Sequence, residues 1–267
     1  MPGMRWPRVQ LFEFNDAHWA PDALREGIVD TLSVALERGR ILDGLAAPFA
    51  AFLARSGTSE VLDLGAGAGG PMRVLLGALA ERGVRPQVTL TDLHPRVEAW
   101  RELAGVFPGQ VTFEAHPVDA TAVPDALAAG KARTIINVLH HFPPPLVARV
   151  LADAVRAGDS IFIAEAFGRE PSSFPAFASA GLPALLGAPL RGSRRLEKAL
   201  LFWATPIGFA VSVWDGFVST LRIHEEAELR ALVAPFGQDY DWTFGWYPVK
   251  PWGRGCWFSG TPKAPAA

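Results

Sequence analysis

The stretch "EVLDLGAGAGG", Glu60 to Gly70, holds the residues best placed to grip a ligand. Gly65, Gly67 and Gly70 satisfy G-x-G-x-x-G, and Gly65, Gly67 and Gly69 satisfy G-x-G-x-G equally well. Between a parallel strand and its helix, such a turn lets a ligand reach the backbone with no Cβ in the way and faces it with helix-start N–H groups. The pyrophosphate of a dinucleotide and the tail of another nucleoside cofactor fit these glycines alike. An acid about twenty residues further on, at the end of the next strand, takes ribose hydroxyls. Asp92 in "LTDLHP" fills that role for either ligand. Asp63 discriminates between them. It stands two residues before Gly65 inside an apolar strand, where a carboxylate repels a pyrophosphate and attracts a cation. S-adenosylmethionine carries two positive groups, a sulfonium and an ammonium. The alternative for Asp63 is that it only orders the turn through hydrogen bonds.

The elements that must position these residues alternate along the chain. "EVLDLG" is a short apolar run ending in glycine, hence a buried strand. "PMRVLLGALAERG" comes next as a helix opened by Pro71 and closed by Gly83. "QVTLTD", "VTFEAHPVD", "ARTIINVL" and "SIFIAEAF" are further strands, with helices over "PRVEAWRELAGVF" and "PPLVARVLADAVRAG". This order predicts parallel β-α-β units with right-handed crossovers and a sheet covered on both faces. Ahead of it, Asp16 to Leu53 is read as helical, with Leu24, Ile28, Leu32 and Leu36 forming one apolar stripe. These helices are expected to cap the sheet. After Phe167 the alternation stops. Residues 171–192, rich in Pro, Gly, Ala and Ser, are read as an irregular or partly helical insertion. "HEEAELRALVAPFG" gives one more helix, and "DYDWTFGWY" and "GCWFSGTPK" an antiparallel hairpin.

Composition narrows the function. The chain has 267 residues, 49% hydrophobic and 19% charged, enough for one large α/β domain and too apolar for a disordered chain. A formal net charge of −2 and the lack of a basic run argue against nucleic acid. A single cysteine, Cys256, excludes an internal disulfide and a cysteine-based zinc site, and fits a reducing, cytoplasmic setting. No metal is expected. "ALLFWATPIGFAVSVW", Ala199 to Trp214, is short for a bilayer span and broken by Pro206 and Gly208. It is read as a buried or lid element, which leaves peripheral contact with a membrane, and a homodimer, open.

"VLDLGAGAGG", then "LTDLHP", "PVDAT" and "NVLHHF", together resemble the motif series of class I S-adenosylmethionine-dependent methyltransferases. The resemblance covers roughly Glu60 to Phe167, with the terminal hairpin in keeping. It implies an α/β fold: a Rossmann-like, doubly wound, seven-stranded and mostly parallel sheet with an antiparallel C-terminal hairpin, preceded by a helical cap. Residues 1–56 would form that cap, and residues 57–267 the methyltransferase domain, with an apolar acceptor-side insertion at about 171–222. The cofactor implied is S-adenosyl-L-methionine. Gly65, Ala66 and Gly67 would line its methionine moiety, with Asp63 near its ammonium. Asp92 would bind the ribose hydroxyls and Leu93 would pack on the adenine. Asp119 would accept from the adenine amino group, with the N–H of Ala120 beside it, and Asn137 would touch the cofactor tail. Leu93 could equally be core, and Asp119 a helix N-cap.

Methyl transfer needs a close, aligned nucleophile in a dry pocket, and a base only if the acceptor must lose a proton. His140, His141 and Glu165 are the candidate bases. The bland alternative is one histidine packed below the cofactor and the other exposed. The apolar insertion supplies Phe202, Trp203, Phe209, Trp214 and Phe217 as pocket walls, with Asp215, Arg222 and His224 as orienting contacts. Asp215 with Gly216 could instead form a turn, and Arg222 could pair with Asp215. "FEFND", Phe12 to Asp16, is a candidate lid. The function expected is methylation of a small, hydrophobic acceptor on oxygen or nitrogen. The alternatives are an NAD(P)-dependent oxidoreductase and a catalytically silent scaffold that binds S-adenosylmethionine.

Overall fold

Five strands run parallel: β1 Glu60–Leu64, β2 Gln87–Thr91, β3 Val111–Phe113, β4 Ala132–Ile136 and β5 Ile161–Glu165. The computed structural model describes residues 6–17, 19–170, 173–174, 182–237, 239–250 and 253–263. Two long strands, β6 Tyr240–Val249 and β7 Gly253–Pro262, complete a seven-stranded sheet of order β3-β2-β1-β4-β5-β7-β6. β7 is antiparallel to both neighbours, with Ile161 opposite Gly260 and Glu165 opposite Cys256. The order turns outward on either side of β1 and β4, which leaves a crevice at their carboxyl ends.

Residues of one strand go alternately to the two faces, and both faces are apolar because both are covered. On one face Val61, Ala132, Ile136, Phe162 and Ala164 join Phe49, Phe52, Leu75 and Trp100. On the other, Leu62, Leu64, Ile135, Ile161 and Ile163 join Val147, Leu151 and Leu229. The helices that supply these side chains are α2 Ala46–Ser56, α3 Gly70–Ala80 and α4 Val97–Val106 on the first face. α6 Pro144–Ala157 and α9 Glu226–Val233 cover the second, with the short α5 Asp125–Ala128 ahead of β4. Glu225 and Glu228 close a capping box at the start of α9.

The helices expected between Asp16 and Leu53 are α1 Asp22–Gly39 and α2, parted where Arg40 takes a left-handed conformation (φ 47°) that ends α1. One expectation is adjusted. The third strand stops after three residues instead of running to Asp119. The Glu114 carboxylate accepts from the N–H of His116 and turns the chain, and Pro117 has no N–H to pair.

In the insertion, residues 171–172 and 175–181 lie outside the described residues. Further along, the chain forms α7 Arg195–Ala199, a π-turn Leu200–Ala204 and α8 Ile207–Arg222, and it bends by 84° at Thr205 and Pro206. The Phe202 ring fills the space beside Gly27 of α1 and Gly208 of α8, where an added Cβ would come within 2.3 and 2.5 Å of it. Among the described residues no single helix is long and apolar enough to cross a membrane; the bent pair passes by length and composition only.

Candidate active site

The glycine turn is built for backbone approach. Gly65, Gly67 and Gly69 all have positive φ (74°, 53° and 80°), and Gly69 caps α3 in the left-handed conformation. A Cβ on Gly67 would meet nothing within 4 Å, so the turn is open at that point. Three contacts hold it. The N–H of Ala66 donates to Thr91 O at 2.9 Å, the Trp100 indole donates to Gly67 O at 2.9 Å, and the Gly67 N–H donates to the Asp92 carboxylate at 2.8 Å. Asp92 also accepts from the His94 N–H at 2.8 Å. It therefore ties the turn to the end of β2, a structural task that its position in the sequence does not reveal. Each of its oxygens keeps a lone pair for a further donor.

Asp63 is 4% exposed in β1. Among the described residues its carboxyl has one hydrogen-bond partner, Thr134 Oγ1, its neighbour on β4, at 2.9 Å. No cationic side chain reaches it among the described residues. Burial pushes its carboxyl up to about 7; the Thr134 bond opposes the rise and the Asp92 charge adds to it. A buried carboxyl held at β1 beside an open glycine turn, with no cation of its own, suits a positively charged ligand group.

Leu93 is 54% exposed, so it is not core. It offers a free apolar surface beside Asp92. Asp119 caps a turn and not a helix, accepting at 2.8 Å from both the N–H and the hydroxyl of Thr121. Ala120 is next in the chain, half-buried. Asn137 follows β4 directly, in a left-handed conformation (φ 59°) uncommon for a side-chain-bearing residue. Its Oδ1 accepts from the Ala166 N–H at 2.7 Å, while its Nδ2 is buried without a partner. Such an orphaned donor can bond a ligand acceptor at the carboxyl ends of β1 and β4. Residues 63–67, 92–93 and 137 thus gather at the crevice, from strands adjacent in the sheet.

Beyond Asn137, a short turn carries His140 and His141. His140 is buried and clamped by Glu165 at the end of β5. The Glu165 carboxylate accepts from the His140 N–H at 2.9 Å and contacts Nδ1 at 2.8 Å. A carboxylate only accepts, so the bond requires a proton on Nδ1 and leaves Nε2 with its lone pair in the neutral ring. The His141 ring lies 4.2 Å from that of His140.

Three of the four acceptor-side residues converge on the N-terminal segment, and His224 binds the chain just after the histidine turn. Asp215 accepts from the N–H groups of Phe14 and Asn15 at 2.8 and 3.0 Å. The Trp214 indole donates to Phe12 O at 3.0 Å, and Arg222 Nε donates to Leu11 O at 3.0 Å. Arg222 also pairs with Glu13 at 3.1 Å and Asp16 at 2.8 Å. The alternative Arg222–Asp215 pair is not formed; each binds the segment instead. His224 contacts Phe142 O through Nε2 at 2.9 Å, and burial lowers its pKa to about 4 against that bond. Residues 9–16 are thereby strapped across the turn that carries the histidines, and the Val9 N–H donates to Leu221 O.

The strap delivers Glu13, which is 2% exposed. Burial raises its carboxyl to about 7, although His141 and Arg222 pull it down. Asp16 is held well below the usual range, because bonds and charges from His141 and Arg222 outweigh its burial. Glu13, His140 and His141 bring ligand-capable atoms within 4.8 Å of one another. Arg222 already stands 3.3 Å from His141 Nδ1, so a guanidinium supplies the positive charge that a metal would bring. Of the expected pocket walls, Phe202 is buried against Leu24 and Val211, Trp203 and Phe209 are exposed, and Phe217 stacks edge-on with Trp6 and Phe174. Thr134, Trp100 and Glu13 do not stand out as functional residues in the sequence. Only strand register links Thr134 to Asp63, and no spacing along the chain encodes it.

No protein-family model matches the chain, and no curated protein matches it. Solved structures are similar in fold. An O-methyltransferase from neocarzinostatin biosynthesis, in complex with S-adenosylmethionine and 2-hydroxy-5-methyl naphthoic acid, aligns with a TM-score of 0.50 and 19% identity. The alignment covers 91% of this chain and 59% of that one, so the chain spans little more than half of its length. A magnesium protoporphyrin IX methyltransferase from Synechocystis PCC 6803 with bound SAH gives 0.48 and 14%, over 84% of each chain. The mitomycin 7-O-methyltransferase gives 0.48 and 17%, over 94% of this chain and 70% of that one. At such identities the likeness is one of fold, and residue roles rest on the geometry of the site.

Proposed function

We propose that this chain, which has the class I methyltransferase fold, is an S-adenosylmethionine-dependent methyltransferase acting on oxygen or nitrogen of a small, largely hydrophobic acceptor. The observation that carries the reading is Asp63, a buried carboxyl without a cationic partner beside an open glycine turn. The orphaned Nδ2 of Asn137 and the exposed Leu93 fit the same cofactor. When bound, S-adenosylmethionine supplies a methyl group already activated by its sulfonium. Asp63 would hold the cofactor's ammonium, Gly65, Ala66 and Gly67 its methionine chain, Asp92 its ribose, and Leu93, Asp119 and Ala120 its adenine.

On the acceptor side, Glu165 orients His140 so that Nε2 can take the acceptor's proton. The strap of residues 9–16, fastened by Trp214, Asp215 and Arg222, keeps water from the histidine turn. Residues 1–56 then act as the cap and residues 57–267 as the catalytic domain, with the insertion at about 171–222 beside the acceptor. The single buried, unpaired thiol of Cys256 fits a cytoplasmic setting.

Titration calorimetry with S-adenosylmethionine and with NAD tests the reading. Micromolar binding of the first, and none of the second, is expected. Binding of NAD alone overturns it. Where the cofactor binds but a panel of phenols, naphthols and amines stays unmethylated, the chain is a binding scaffold and not an enzyme for this acceptor class.

A further inference from the structure

We infer that the bent helix pair α7–α8 docks the protein onto the surface of an anionic lipid bilayer. From Ala199 to Trp214 the chain carries no charge. Its inward residues fill the core: Phe202 sits between α1 and α8, and Val211 packs with it. Its outward residues have no such cover. Leu196, Leu200 and Trp203 recur at i, i+4 and i+7 on one face, and Leu196 is 76% and Trp203 49% exposed. After the bend, Ile207, Phe209 and Val213 are exposed on α8. Leu186 and Leu190, ahead of α7, are exposed too, and the Trp203 indole donates to Leu185 O, which brings the Leu186 turn against it. Monomeric proteins seldom leave so many large apolar side chains bare over one stretch.

Charge selects the occupant. Arg191, Arg194, Arg195 and Lys198 crowd the flank of this surface, and three of them are matched by acids: Arg194 pairs with Asp22 at 3.3 Å, Glu26 at 3.6 Å and Glu197 at 3.4 Å. Lys198 is buried on Asp30, and Arg191 pairs with Glu37. Among the described residues, Arg195 meets only Gly192 O, and exposed Arg38, whose guanidinium lies against Gly187, has no carboxylate partner. Apolar side chains next to unpaired guanidinium groups match the layering of a bilayer surface, where acyl chains lie beneath phosphates. Trp203, with an apolar ring and a satisfied N–H, suits the boundary. The 84° bend prevents a straight crossing and lets both arms lie at the interface. The surface also reaches the strap, since exposed Phe12 packs 5.5 Å from Trp214 and 6.5 Å from exposed Trp19. A lipid-like acceptor would therefore meet the protein at the edge of its lid.

Co-sedimentation of the full chain with vesicles of phosphatidylcholine, alone and with added phosphatidylglycerol, tests the proposal. The protein is expected to pellet with the anionic vesicles, and brominated lipid is expected to quench its tryptophan fluorescence. The double substitution Leu200→Ser, Trp203→Ser should weaken vesicle binding at least about tenfold, the scale of two large apolar side chains left in water. Arg195→Ala should weaken it about fivefold. Both variants should keep the thermal midpoint and cofactor affinity of the parent. A parent protein that stays in the supernatant with both vesicles and shows no quenching overturns the proposal. So does a dimer by light scattering that the double substitution converts to monomer while vesicle binding is unchanged.

Discussion

At the scale of single residues, Asp63 carries opposing demands. Its folded pKa of about 7 lies above its ordinary value of 3.8, so the folded state holds the proton more tightly than the unfolded chain. Stability is therefore greatest at low pH with respect to this group, and falls as pH rises from 3.8 through 7, where a bare charge must stay buried. Asp63→Asn keeps an acceptor for Thr134 and removes that charge. It should stabilise the fold at slightly alkaline pH by on the order of 2–3 kcal/mol. It should also weaken S-adenosylmethionine binding by about 2 kcal/mol through loss of the carboxylate–ammonium bond. In the parent, cofactor affinity should fall as pH drops through about 7 and Asp63 takes up its proton. In the variant that pH dependence should vanish. Thermal denaturation and calorimetry across the pH range read both effects.

At the scale of elements, the strap of residues 9–16 is held by side chains of α8 and not by a core of its own. Glu13 makes its closure pH-dependent. The closed strap buries Glu13 with a pKa near 7, and an opened strap returns it to its ordinary 4.5. Closure is thus fully supported below the ordinary value and is lost as pH rises through 7. Asp16 works in the other sense, with a lowered pKa, so its support is complete above the usual carboxylate range and constant near neutrality. Amide exchange of residues 9–16, corrected for the intrinsic rate, should show opening increase on the order of a hundredfold between about pH 5 and pH 8. Glu13→Gln should flatten this profile, and a profile unchanged by the substitution would remove Glu13 from the latch.

At the scale of the whole molecule, the proposed cofactor site draws on β1, β2 and β4, and each belongs to the central sheet. A ligand bound there should stabilise the entire domain by mass action. At about a hundred times its Kd, S-adenosylmethionine should add about 2.7 kcal/mol. For a domain of this size that is a rise in Tm of about 5–10 °C. NAD should leave the midpoint in place. A midpoint that S-adenosylmethionine does not move would separate the fold from the proposed cofactor.

By itself the sequence determined the five apolar strands, the helices between them, the glycine turn and the acids Asp63 and Asp92. These are local features, written in runs of β-branched and aliphatic residues, in glycines and in helix-opening prolines, and each is legible within a dozen residues. The hairpin "DYDWTFGWY" with "GCWFSGTPK" was legible for the same reason, but its docking with β7 between β5 and β6 comes from sheet packing alone. Tertiary structure alone decided which long-range pairs form. Arg222 and Asp215 turned from each other to residues about 200 positions earlier in the chain, because burial next to the strap offers each of them partners that a local turn would not. Thr134 found Asp63 through strand register, Asp92 took on the Gly67 N–H, and Glu13 was carried from the candidate lid into a buried cluster. Spacing along a chain specifies periodicity and turns, whereas the charge partners of a buried group are set by which surfaces the fold brings face to face.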